Sequence, residues 1–143
     1  MENQLSKSDQ FIGTWKLDPT QSQYEFGTPP QSGLYCIEPD GDELKFSADW
    51  VGGDGKSYQI SFSGIPDGKD YPYENPALAD TLSLTQVDKT RLDSTSKKDG
   101  LVILHASRVL SANGTEMTVT QSGNAPTGQP YSNVSVYYKQ VLR

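Results

Sequence analysis

Cysteine and histidine are almost missing from this 143-residue chain, which has one of each, Cys36 and His105. An intramolecular disulfide is therefore excluded, and metal centres built on thiolate or imidazole clusters lack their ligands. Cys36 sits beside Ile37 in an apolar run and reads as a buried, inert thiol. A haem site would have only His105 as its axial ligand, so neither a cofactor nor a metal is expected. Long hydrophobic runs are absent too. No stretch approaches the ~18 apolar residues of a membrane span. The polar start, Met1 to Gln10, has none of the apolar core of a signal peptide. A cytoplasmic protein is the expectation; a leader upstream of Met1 would instead make it periplasmic or secreted. Basic charge is also scarce, with 12 Lys and Arg against 18 Asp and Glu, for a formal net charge of -6. Such a surface repels phosphate backbones and anionic lipid heads, which excludes nucleic acid as a partner.

What is present is a rhythm of turns. Asp40-Gly41, Gly52-Gly53-Asp54-Gly55, Asp67-Gly68, Asp99-Gly100, Asn113-Gly114 and Thr127-Gly128 punctuate the chain at short intervals. Asx-Gly pairs accept the positive φ that tight hairpins need. The runs between them are rich in β-branched and aromatic residues and predict strands at 11–18, 33–39, 43–51, 57–64, 69–73, 80–87, 90–97, 101–111, 115–122 and 131–141. Leu44, Phe46, Ala48 and Trp50 alternate with Lys45, Ser47 and Asp49; Tyr58, Ile60 and Phe62 alternate with Ser57, Gln59 and Ser61. One buried face and one wet face is the pattern of an antiparallel sheet. A meander of about ten strands would expose two long edges unless it closed on itself. The predicted fold is therefore all-β: a single antiparallel up-and-down β-barrel over 11–143, preceded by a flexible segment over 1–10. The low hydrophobic fraction, 34%, suits a barrel with a partly polar interior better than a solid core.

Only single helical turns are expected, one opening at Asp18-Pro19, with Asp18 as the cap, and one over Asn75 to Asp80. The first strand, Phe11-Ile12-Gly13-Thr14-Trp15-Lys16-Leu17, resembles the G-x-W opening of the calycins, the superfamily of lipocalins and fatty-acid-binding proteins. That resemblance implies that Trp15 plugs the closed end of the barrel. The last strand, Asn133 to Lys139, resembles the R-x-Y ending of the fatty-acid-binding branch, with Tyr137 at the tyrosine but Ser135 where the arginine would stand. The 14 residues from Pro19 to Ser32 are too few for the helical lid of that branch. The arginine that stacks on the lipocalin tryptophan has no clear counterpart, and Lys139 or Arg143 is its candidate substitute. The order of G-T-W, then Asp67-Gly68-Lys69-Asp70-Tyr71-Pro72, then an N-V-x-V-Y ending resembles a group of bacterial lipocalin-like proteins.

No nucleophile–base pair or metal motif stands out, so the candidate site is a pocket. Tyr35, Phe46, Trp50, Tyr58, Phe62 and Tyr137 lie on strand faces that should converge, as pocket walls or as filling. His105 shares a face with Leu101, Ile103, Ser107 and Val109, either inside or outside. Arg108 would anchor an anionic group if it pointed inward, although pairing on the surface is the plainer expectation. The leading functional expectation is a barrel that binds an apolar or amphipathic small molecule, as a monomer or weak homodimer. Two alternatives stay open. One is an isomerase, lyase or cyclase using His105, Tyr137 or Tyr58 as acid–base groups. The other is a filled barrel acting as an interaction or inhibitor module, with the loop from Gln21 to Ser32 as its contact segment.

Overall fold

The computed structural model describes residues 9–73 and 79–140. Strands β1 (Gly13–Leu17), β2 (Gln23–Tyr24), β3 (Ser32–Asp40), β4 (Glu43–Val51), β5 (Ser57–Gly64) and β6 (Asp67–Pro72) form the first half of the chain. They are followed by β7 (Thr81–Asp88), β8 (Arg91–Lys98), β9 (Leu101–Leu110), β10 (Glu116–Asn124) and β11 (Pro130–Lys139). All pair antiparallel in one sheet of order β5-β4-β3-β1-β11-β10-β9-β8-β7-β6, with β2 added to β11. Joining β1 to β11 rolls the meander into a barrel. Closure is nearly complete: β5 and β6 end the hydrogen-bonded path, and Leu84 of β7 packs into the space left at Gly64 of β5.

Hairpin chemistry explains most of the corners. Between β8 and β9, Asp99 and Gly100 both take positive φ, 53° and 77°, the mirror-image turn whose twist matches the strands it joins. Two expectations shift. Asp67-Gly68 is no corner but the bulged start of β6, where Asp67 Oδ1 accepts from Lys69 N at 3.0 Å. Phe11 lies in a 3-10 turn, Asp9–Phe11, and the first strand begins only at Gly13. The expected turn over Asn75 to Asp80 falls mostly outside the described residues, as does most of the N-terminal segment.

The closed end is a plug of Phe11, Trp15, Ile37, Leu44, Leu92 and Met117, all fully buried. Trp15 donates its indole N–H to the Phe11 carbonyl at 2.9 Å. Lys139 Nζ lies 5.4 Å from the centre of the Trp15 ring, so Lys139 supplies the cation over the tryptophan. Gly13 makes that possible. Its φ is 146°, and a Cβ there would come within 2.9 Å of Lys139 Cε.

The opposite end is crossed by the segment between β1 and β3. Asp18 caps a 3-10 turn, Pro19–Gln21, as the sequence predicts, and the chain then adds β2 to the edge of β11. Asn133 of β11 ties the strap down: its Oδ1 accepts from Glu25 N and Phe26 N, and its Nδ2 donates to Phe26 O. On the far side Thr28 fills the room left by Gly53, where a Cβ would sit 2.1 Å from Thr28 Cγ2. Among the described residues there is no helical lid, and a pinned strap takes that place.

Candidate functional site

Between plug and strap lies a cavity of about 310 Å³, at the small end of ligand pockets. Alternation in each strand sends its inner residues into this space. From β3, β4 and β5 come Tyr35, Ala48, Trp50, Ile60 and Phe62. From β8 to β11 come Ser94, Ser96, Arg108, Gln121, Ser135 and Tyr137, and from the strap Tyr24, Thr28 and Pro30.

Arg108 points inward and is only 3% exposed, which corrects the expectation of a surface pair. Its Nε donates to the Tyr35 hydroxyl at 2.9 Å and its Nη1 to Ser94 Oγ at 3.2 Å. The guanidinium lies 5.1 Å from the centre of the Phe46 ring, which is itself stacked on Phe62 at 4.7 Å. Its charge therefore rests on an aromatic floor, with Nε and Nη1 each held by a neutral hydroxyl. Among the described residues no carboxylate pairs with it. A buried cation compensated only by neutral groups costs stability unless an anion completes the set.

Tyr137 stands 5.7 Å from Tyr35, ring centre to ring centre. Burial pushes its phenol well above the ordinary tyrosine value, with Tyr35 and Tyr24 adding to the effect and Arg108 opposing it. At neutral pH it is therefore an O–H donor beside the guanidinium. Tyr24 Oη and Ser135 Oγ lie 3.3 Å apart, so the residue that replaces arginine in β11 joins the strap to the polar wall.

The eight sequence candidates thus divide. Tyr35, Trp50, Phe62, Arg108 and Tyr137 line one cavity, and Phe46 lies buried beneath Arg108. Tyr58 sits on the rim, 42% exposed, stacked on Trp50 at 5.6 Å and donating to Asp54 Oδ2. His105 is on the outer wall. Its Nδ1 is 3.0 Å from Thr95 Oγ1 and its Nε2 is 3.7 Å from Asp93, a carboxylate already engaged by Arg91 and Ser107. An acid–base pair of His105 with Tyr137 on one substrate is not available in this arrangement.

Sequence reading passed over Ser94, Ser96, Gln121 and Tyr24. The first two were legible in principle, because they continue the inward alternation of Leu92 along β8. Cys36, read as buried, is half-buried on the outer side of β3 and donates to Glu38 Oε1 at 3.1 Å. A larger concavity of about 860 Å³ lies outside the barrel, over Lys16, Leu34, Asp49, Trp50 and Tyr58, but it is open to solvent and contains no buried charge.

No known protein-family profile matches the chain, and no curated protein matches it. Solved structures do share its fold. The zebrafish ileal bile acid-binding protein complexed with cholic acid superposes with a TM-score of 0.55 at 12% identity, covering 92% of this chain and 99% of that one. Lipid binding protein 8 of Caenorhabditis elegans, without ligand, gives 0.61 at 16% identity, covering 92% and 96%. The fold these two structures share with the chain is an antiparallel β-barrel.

Proposed function

We propose that this barrel binds a small amphipathic molecule in its interior, with Arg108 pairing the molecule's anionic group. The observation that carries the reading is a guanidinium buried in a cavity with hydroxyl partners and no counter-ion among the described residues. A ligand carboxylate, sulfonate or phosphate would supply the missing charge, and the Nη2 N–H groups, unpartnered among the described residues, would donate to it. The aromatic wall of Trp50 and Phe62 would cover the apolar part, and Tyr137 would add a neutral donor. Two barrels of like fold are named for bile acid and lipid binding, in keeping with an amphipathic ligand. The G-T-W opening and N-V-x-V-Y ending resemble those of bacterial lipocalin-like proteins, in keeping with a binding barrel, and we expect it to work as a monomer or weak homodimer.

Two fluorescent probes that differ only in charge test this. 1-Anilinonaphthalene-8-sulfonate carries a sulfonate, and N-phenyl-1-naphthylamine is the same skeleton without it. The sulfonate should bind one to one at micromolar concentration and at least tenfold tighter than the neutral amine. Arg108→Met should abolish that preference. Equal affinity of the two probes for the wild-type protein overturns the proposal.

A further inference from the structure

The two halves of the cavity wall differ in chemistry. On one side, β3, β4 and β5 contribute Ala48, Trp50, Ile60 and Phe62, with no hydrogen-bonding group except the Trp50 indole N–H and the Tyr35 hydroxyl, which already accepts from Arg108. On the other, β8, β10 and β11 contribute Ser94, Ser96, Gln121 and Ser135 along with the guanidinium of β9, set among the apolar Leu82, Leu104, Ala106 and Val119. The halves face each other across the barrel, since Arg108 of β9 lies over Phe46 of β4 and bonds Tyr35 of β3. Ser96 and Gln121 belong to the polar half, nearer the mouth than Arg108: they pair in the sheet with Leu104 and Ala106, four and two residues toward the open end.

A flexible alkyl chain would pack on Leu82, Leu104, Ala106 and Val119 but match none of the polar groups between them. It would cover Ser96 with methylenes and crowd Gln121, which stands exposed at the mouth, and return a hydrogen bond to neither. A flat ring system suits both sides at once, stacking one face on Trp50 and Phe62 and offering polar substituents to the serines and the glutamine. Volume argues the same way. About 310 Å³ is the space of roughly ten water molecules, which is room for a compact ring acid.

We infer that the ligand class is a compact, ring-bearing acid with a hydroxyl or similar group on the edge away from its anionic group. Arg108 takes the acid, the aromatic wall takes the ring face, and Ser96 with Gln121 takes the distal polar substituent. This rests on the interior anion site proposed above and deepens it.

Three acids separate the two ideas: 6-hydroxy-2-naphthoate, 2-naphthoate and dodecanoate, each titrated by calorimetry. Dodecanoate is far more hydrophobic than the hydroxynaphthoate, so burial alone would favour it. The expected order is 6-hydroxy-2-naphthoate tightest, 2-naphthoate at least fivefold weaker, and dodecanoate at least tenfold weaker. The double variant Ser96→Ala, Gln121→Leu should bring the two naphthoates to the same affinity, with 2-naphthoate itself no weaker than before. Arg108→Met should weaken all three. Dodecanoate binding as tightly as the hydroxynaphthoate, with both sensitive to Arg108→Met, overturns the ligand class and leaves the anion site standing. Binding of all three that ignores Arg108→Met overturns the anion site itself.

Discussion

Replacing Arg108 by methionine separates a binding role from a structural one, because the two roles predict opposite changes in stability. The guanidinium is 3% exposed and, among the described residues, has only Tyr35, Ser94 and the Phe46 ring as partners. Removing a guanidinium-sized charge from such a site relieves a desolvation penalty of several kcal/mol. Against that stand two hydrogen bonds from a charged donor, each worth about 1.5–3 kcal/mol, and a cation–π contact worth about 1 kcal/mol. Tyr35 and Ser94, each 7% exposed, border the cavity, and water taken into the vacated space would recover most of the hydrogen-bond loss. The balance is a gain of about 1–2 kcal/mol, in line with other replacements of buried ions by apolar residues of like volume. For a chain of this size that is a rise of about 3–8 °C in the melting temperature. Thermal unfolding followed by circular dichroism, with and without 1-anilinonaphthalene-8-sulfonate, reads both effects. Ligand at a hundred times its Kd should stabilise the wild-type protein by about 2.7 kcal/mol and the variant by little. A variant that melts several degrees lower yet keeps the ligand-induced rise would show that Arg108 serves the fold and not the ligand.

Other parts of the structure are equally open to measurement. Gly13→Ala forces a side chain into a backbone with φ of 146° and against Lys139, and should cost about 1–3 kcal/mol, read as a lower urea midpoint at unchanged m-value. Asn133→Ala frees two N–H groups and a carbonyl of the strap, which should cost about 2 kcal/mol and speed probe dissociation in stopped-flow experiments by several-fold. Burial raises the Asp93 carboxyl, but the hydrogen bonds and charge of Arg91, with Ser107 and His105, outweigh it and hold the group below its ordinary 3.8. Its contribution is therefore present above that value and lost as pH falls through the lower folded value. Asp93→Asn should destabilise the protein at pH 7 and flatten the decline in stability below pH 4.

The barrel itself was largely written in the sequence, because its strands bury one face and alternate accordingly. Leu44, Phe46, Ala48 and Trp50 read inward in the sequence and are inward in β4. Phase fails where that signal is weak. In β9, Leu101, Val102 and Ile103 are all apolar, and the register slips between Ser96 and Lys97 of its partner. The run before Leu104 therefore gives no clue to which face Arg108 takes. β2 escaped notice because two residues cannot show a period; it exists through its pairing with β11 and the anchor at Asn133. Asp67-Gly68 resembled a hairpin corner because an Asx turn uses the same residues whether the chain reverses or merely bulges.

The charge inside the barrel can be watched directly at the Arg108 guanidinium. In a 15N-labelled sample, its Nε–H is protected by the bond to Tyr35 and should give a resolved side-chain resonance. Adding 2-naphthoate should shift that resonance in a saturable way, with the same Kd as calorimetry, whereas 2-naphthalenemethanol at equal concentration should leave it nearly in place. An Arg108 resonance that ignores the acid while the acid binds would contradict the central claim.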